Sequence, residues 1–342
     1  MPAVFSPSAG PRAVTDADFP QDGPPEAQLA VMLNWAVQAP SVLNTQPWRF
    51  RVSGPEVEVF VDRARVVRSV DPEAREAVVS CGAALFTLRL AAHHYGFATI
   101  ETAPAASDDP DLVARLRLAG PSRATEAEEA LFRAIRHRHT NRDPYADFAV
   151  PGALLDAFRA AAEDEGVHLH VVQGEAERGA LADLVAEAIR AQGEDEATVA
   201  ELRAWLRPTG DARADGVPDD VQGGWDRLSY LRTEARFLAA EARRLAHAAP
   251  ALLVISTATD RRADWVRAGA ALQRVLLLGA AEGLAASYFN QPTEVAALRP
   301  EVAAIAGHGH PQVVFRLGTP VEATGTPRRR VADVLRPGDP VV

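Results

Sequence analysis

The chain has 342 residues, 47% of them hydrophobic and 24% charged, with a formal net charge of −10. That composition suits a globular fold with a sizeable apolar core, built as one large domain or two ordinary ones. The acidic balance argues against a general nucleic-acid or anionic-membrane surface, which needs net positive charge.

Residues 1–25 are rich in Pro, Gly and Ser and lack the basic-then-apolar order of a signal peptide, so they read as a flexible arm. A helix is expected over Glu26–Ala39, stopped by Pro40. Strands follow at Gln46–Val52 and Glu56–Val61, around the turn Ser53-Gly54-Pro55. Asp71-Pro72 opens a long helical segment through Tyr95, with strands then at Ala98–Thr102 and Leu112–Leu118. Its only cysteine, Cys81, lies in an apolar stretch and reads as packing. One cysteine makes neither a disulfide framework nor a CxxC pair, which fits a reducing, cytoplasmic compartment. Thr125 caps a helix to about His137, a linker covers Ala146–Val150, and Pro151 begins the next helix.

"VHLHVV" then reads as a strand, followed by helices over Ala176–Ala191 and Arg227–Ala248 and the buried strand "LLVISTA". A helix over Asp264–Ala281, a strand at Leu284–Phe289, a helix at Thr293–Ile305 and the strand "VVFRLG" complete the order. Helices and strands mix without a regular βαβ cadence, so the expected class is α+β. No apolar run reaches the roughly 18 residues of a membrane span.

A repeat is visible. "GAALFTLRLAAHHYGFA" from Gly82 and "GAALQRVLLLGAAEGLA" from Gly269 share their opening, their apolar register and a late glycine. Each precedes a strand, and farther on come "RLAGP" (Arg117–Pro121) and "RLGTP" (Arg316–Pro320). The bland alternative is that two Ala-rich helices look alike. Because the register extends to the later strand, we read two copies of one α+β unit, residues 26–124 and 125–342. The second carries an acidic insertion at about 193–224, either a tolerated surface loop or a lid.

Two stretches carry candidate chemistry. "APSVLNTQPWRF" (Ala39–Phe50) crowds amides, hydroxyls and two prolines into a helix-to-strand corner. "RHTNR" places Arg138, Thr140 and Arg142 on alternate residues, so that in an extended segment they project together. Two guanidiniums and a hydroxyl converging in this way suit a phosphate. Arg328, Arg329 and Arg330 form a further basic run. All 36 basic residues are arginine, so a merely solvated basic face is the competing reading of both clusters.

"APSVLNTQPW" resembles the A-P-S-x-x-N-x-Q-P-W element of the nitroreductase superfamily, and "RHTNR" its R-x-[ST]-x-[RK] phosphate element. Both occurring in one chain of this length is similar to the Acg-like branch, in which two nitroreductase-type units are fused. The resemblance covers the chain after about residue 26. It implies a nitroreductase-like α+β fold with two tandem units forming an intramolecular pseudo-dimer, hence a monomer rather than a homodimer. Each unit keeps the half of the motif set that the other lacks, so one complete FMN site is implied per chain. Arg138, Thr140, Arg142 and one or more of Arg328, Arg329 and Arg330 would hold the FMN phosphate. Pro40, Ser41 and Asn44 would face the isoalloxazine, with Asn44 bonding its polar edge, while Gln46, Pro47 and Trp48 fix the corner. By position alone, Asn290 and Gln291 match the segment that offers backbone N–H groups to the reactive flavin nitrogen. Val42 stands where a second serine is common. The implied activity is FMN-dependent oxidoreduction, with NADH or NADPH as co-substrate and ping-pong transfer to a nitro compound or quinone. The alternative is a protein that stores or sequesters FMN. Neither nucleic acid nor membrane is an expected partner.

Other features have plainer readings. The pairs His137/His139, His168/His170 and His308/His310 lack a nearby cysteine or convincing carboxylate, so no metal is expected. Trp265 and Tyr288 read as core. No Gly-x-Ser-x-Gly, P-loop or Gly-x-Gly-x-x-Gly is present, which leaves hydrolase, NTPase and Rossmann readings without support.

Overall fold

The computed structural model describes residues 11–105, 107–208, 210–218, 235–321 and 325–336. Two four-stranded antiparallel sheets are built around a central pair of long helices. The first half runs α1 (Pro25–Ala36), β1 (Trp48–Ser53), β2 (Glu56–Val61), α2 (Arg75–His94), β3 (Phe97–Thr102) and β4 (Leu112–Pro121). The second half begins with α3 (Glu126–Ala134), α4 (Gly152–Glu163) and β5 (His168–Val171). There follow α5 (Glu175–Glu194), α6 (Glu196–Ala204), β6 (Leu206–Arg207), β7 (Val217–Pro218) and α7 (Ala235–His247). The half then continues with β8 (Ala251–Thr257), α8 (Arg262–Ala281), β9 (Ala285–Tyr288), α9 (Gln291–Glu294), α10 (Arg299–Ala306) and β10 (His310–Gly318). A short α11 (Val331–Val334) closes it.

The sheet orders are β1-β2-β4-β3 and β5-β8-β10-β9, so each half pairs its four strands in the order first, second, fourth, third. Each half also places its long helix between the second and third strands. Those helices, α2 and α8, carry the repeated Gly-Ala-Ala-Leu and pack on one another at Gly82 and Gly269. Glycine permits this approach because a Cβ at either position would overlap the facing backbone. Sandwiched in this way, α2 is buried along nearly its whole length and has no polar stripe.

Local chemistry explains the boundaries. Thr125 accepts a bond from Glu128 N at 3.2 Å, and Glu128 reaches back to Thr125 N at 2.8 Å, a reciprocal cap. Asp71 begins α2 by accepting from Glu76 N (3.1 Å) and Ala77 N (3.0 Å). The expected helix over Thr293–Ile305 is instead two pieces, α9 and α10. Pro300 has no N–H to donate and fits only the first turn of a restarted helix.

The insertion is larger than its sequence suggested. Where β1 and β2 are joined by a tight turn, β5 and β8 are separated by everything from α5 to α7. The segment 193–224 holds a helix, α6, whose Asp195 accepts from Ala197 N at 3.1 Å. Residues 219–224 of it, and the expected start of a helix at Arg227, lie outside the described residues. Among the described residues, no helix is long and apolar enough to cross a membrane.

Candidate functional site

The corner after α1 is held in a costly conformation. Leu43, Asn44 and Gln46 all have positive φ, at 45°, 55° and 51°. Left-handed backbone costs a residue with a Cβ of order 1 kcal/mol, so neighbouring structure must hold it. Ser41 Oγ accepts from Gln46 N at 2.9 Å. Asn44 Nδ2 donates to Gly216 O (2.9 Å) and Pro327 O (3.1 Å), while Asn44 Oδ1 accepts from Arg328 Nη1 at 2.9 Å. Gln46 Nε2 donates to Ala214 O at 2.7 Å, and its Oε1 accepts from Arg329 N at 2.8 Å. The amides therefore clamp the insertion and the C-terminal segment onto the corner. For Gln46 this is the expected role. For Asn44, expected to bond a flavin edge, the structure shows both amide hydrogens on protein carbonyls and Oδ1 accepting one bond, with a second lone pair left over.

The arginine segment lies beside β9. Thr140 pairs with Ala286, and Asn141 N donates to Ala286 O at 2.9 Å. Arg316, itself buried, holds the segment by donating from Nη2 to Arg142 O and Asp143 O, both at 2.8 Å. Arg138 Nη2 and Arg328 Nη2 then converge on one acceptor, Gln38 O at the end of α1, at 3.2 and 3.3 Å. Further donors have no partner: Arg138 Nε and Nη1, Arg142 Nη1 and Arg328 Nε are all buried and unbonded. Burial pulls the pKa of all three guanidiniums down, that of Arg328 furthest, with Arg138 and Arg12 nearby as like charges. A guanidinium does not give up its proton in a protein, so the cluster is a buried concentration of positive charge.

Arg329 and Arg330 are not part of that cluster. Arg329 donates to Gln46 O (3.4 Å) and Asp333 O, and Arg330 pairs with Asp333 at 3.0 Å on the surface. Of the C-terminal run, only Arg328 meets the 138–142 segment.

Beside the cluster opens a cavity of about 1450 Å³, counting its mouth. Pro40 and Ser41, Thr140 and Arg142, and Asn290 and Gln291 line it together, from three separate stretches of chain. Asn290 Oδ1 is occupied, accepting from Val314 N at 3.0 Å, whereas Gln291 Oε1 is buried without a partner. The insertion supplies an apolar wall of Ile189, Leu202 and Leu238. Tyr288 packs on the core, as expected, and also lines the cavity, with Arg138 and Arg142 near its phenol. Cys81 is buried as expected, and burial pushes its thiol pKa up.

Sequence reasoning missed two carboxyl groups in the cavity wall, Glu76 and Glu294. The signal was present: each is an acidic residue at the end of a helix whose neighbours are buried. His168 and His308 stand 4.8 Å apart, ring to ring, but among the described residues no group of three or more His, Cys, Asp or Glu could hold a metal ion.

A mostly apolar cavity with Arg142 on its wall and two further buried guanidiniums clustered with it suits a small molecule that carries an anionic group. A profile of the nitroreductase family matches residues 135–319. The Mycobacterium tuberculosis protein "Putative NAD(P)H nitroreductase Rv3131" is 33% identical over 91% of this chain and 92% of its own length. "Putative NAD(P)H nitroreductase acg", from the same organism, is 31% identical over 88% and 92%. Among solved structures, the FMN-dependent nitroreductase NfnB from Mycobacterium smegmatis, in complex with NADPH, covers 61% of this chain and 97% of its own, at 18% identity and TM-score 0.40. The chain belongs to the nitroreductase family of oxidoreductases.

Proposed function

We propose that the protein is an FMN-dependent NAD(P)H oxidoreductase that passes hydride, by ping-pong, to an electron-poor acceptor such as a nitro compound or quinone. The observation that carries the reading is Arg142 on the cavity wall with an unbonded guanidinium nitrogen, clustered with the unbonded donors of buried Arg138 and Arg328. A phosphate dianion would satisfy those donors and offset their charge, and a buried charge left unpaired is costly. Thr140 would add its hydroxyl. Pro40 and Ser41 would flank the ring, with the Asn290–Gln291 segment near its reactive edge.

When bound, the flavin supplies the two-electron chemistry. The chain's own residues bind and orient it, and Ile189, Leu202 and Leu238 keep water from the wall opposite. This makes the insertion a cover for the site. The cover is fastened, since Ala214, Asp215 and Gly216 are bonded to Gln46, Arg65 and Asn44. Deleting 208–220 would therefore disturb the corner as well as the cover, so point changes at Leu202 and Leu238 are the cleaner probe.

We further propose that residues 26–124 and 125–342 form an internal pseudo-dimer that functions as a monomer in the cytoplasm. The shared strand order and the reciprocal glycine crossing support two related units. The corner comes from one unit and the arginine segment from the other, so one chain supplies both halves of the site. The apolar wall favours a second reading, FMN sequestration, because it narrows the room for a stacked nicotinamide.

The test is a visible spectrum of the purified protein titrated with FMN, then mixed anaerobically with NADH or NADPH. Bound flavin that bleaches supports the oxidoreductase, and bound flavin that neither nicotinamide reduces supports sequestration. No flavin binding overturns both.

A further inference from the structure

Glu76 and Glu294 approach the cavity from different elements, α2 and α9. Glu76 is 2% exposed. Its Oε1 accepts from Arg75 Nη2 at 3.0 Å, but its Oε2 is buried with no donor. Arg75 Nη2 bonds both Glu76 Oε1 and Thr293 Oγ1, the residue before Glu294, and so brings the two carboxyls to the same part of the cavity wall, where Asn290 also lies. Glu294 Oε2 accepts from Gln192 Nε2 of the insertion at 2.6 Å. Two carboxylates offer each other only lone pairs, and a contact between them becomes a hydrogen bond when one carries a proton.

The surrounding charges demand the same. Asp71 stands behind the pair, its oxygens spent on backbone N–H groups of α2. Arg75 is the cation beside them, donating to Gln312 O of β10 at 2.6 Å and to Thr293 Oγ1 of α9 at 3.3 Å. Glu241 of α7, elsewhere on the cavity wall, is paired with Arg244. Three carboxylates against one guanidinium would leave two uncompensated negative charges in a buried place. A shared proton removes one of them.

We propose that Glu76 and Glu294 share one proton at neutral pH and deliver it to the electron acceptor in the cavity. This deepens the oxidoreductase reading and rests on it. A hydride reaching the acceptor brings two electrons and one hydrogen nucleus, and the Glu76–Glu294 pair adds a proton. A quinone thereby becomes a hydroquinone. A nitro group becomes a nitroso group, its N–O bond breaking and the oxygen leaving as water, with one hydrogen from the hydride and one from the pair. The doubly ionised pair recovers its proton from solvent at the cavity mouth, which Arg75 helps the pair to await by holding the negative charge.

Two measurements on the full-length protein test this. The first uses flavin-free protein and follows the protonated-carboxyl stretch by infrared difference spectroscopy from pH 5 to pH 9. A band should persist at pH 7, where ordinary carboxyls are ionised, and Glu294→Gln and Glu76→Gln should each remove or shift it. The second uses FMN-loaded protein and times the two half-reactions separately by stopped flow. In Glu294→Gln, reoxidation by a quinone should slow about 10²-fold, the usual scale of general-acid catalysis, and lose its alkaline limb. FMN affinity and reduction by NAD(P)H should stay within about threefold of wild type. Glu294→Asp should recover part of the rate.

A wild-type spectrum without the band, or a band that neither substitution moves, overturns the shared proton. Equal slowing of both half-reactions overturns proton delivery and leaves a structural role. Wild-type protein that binds no FMN overturns the parent reading and proton delivery with it, while the infrared result still decides whether the pair shares a proton.

Discussion

Gly269 of α8 lies so close to Val79 of α2 that a Cβ on it would overlap the Val79 carbonyl, and Gly82 meets Val266 in the reciprocal way. Each glycine contacts the residue three positions before its counterpart, so the crossing is symmetric within one chain. Because the obstructing atoms are backbone, they cannot swing aside as a side chain would. Gly82→Ala and Gly269→Ala should each cost about 3 kcal/mol, at the upper end of overpacking effects. Gly179→Ala in α5 meets nothing within 4 Å and should stabilise the protein by up to about 1 kcal/mol through helix propensity. Urea unfolding of the three variants checks the contrast.

The arginine cluster should act in opposite directions on the empty and loaded protein. Arg138→Met removes a buried cation with two unbonded nitrogens, so flavin-free protein should gain about 1–2 kcal/mol. The same change should weaken FMN binding about 10²-fold, the worth of a charge-assisted bond or two. Thermal melts with and without FMN, beside a binding titration, read both signs.

Asn44 ties three distant stretches together through one amide. Asn44→Ala should cost about 3 kcal/mol, since it leaves buried carbonyls unpaired and places alanine at positive φ. It should also free residues 210–218, so trypsin should cut after exposed Arg213 faster than in wild type.

The carboxyl pair makes a prediction about pH and stability. Burial raises the Glu294 carboxyl to about 7 and raises that of Glu76 as well. A folded-state pKa above the unfolded one means that the folded protein holds its proton more tightly. The resulting stability is complete below about pH 4, the unfolded value, and is lost as pH rises through 7. Wild type should lose on the order of 3 kcal/mol between pH 4 and pH 8 from Glu294 alone. Glu294→Gln should flatten that slope and be the more stable protein at pH 8. Urea midpoints at several pH values decide it.

Local signals survived folding where the physics is local. Thr125 ahead of α3, Asp71 ahead of α2, and the segment Glu56–Val61 became the expected cap, helix start and strand. The repeated Gly-Ala-Ala-Leu was legible too, because a helix that must approach another backbone closely has to carry glycine at the crossing. The expected helix over Thr293–Ile305 failed at Pro300, a local signal that was available and outweighed by the apolar spacing around it.

The candidate site divides along the same line. Sequence alone determined that a polar corner and an alternating Arg-Thr-Arg segment exist, since motifs are contiguous. Only the tertiary structure decided that Arg328, and neither Arg329 nor Arg330, joins Arg138 at the Gln38 carbonyl. It also turned Asn44 from a free amide into a three-way clamp, and it set Glu76 against Glu294 across more than 200 residues of chain. The reason is physical: a side chain's chemistry depends on which donors, charges and waters surround it, and in a fold whose halves meet at two crossed helices those neighbours come from the far end of the chain.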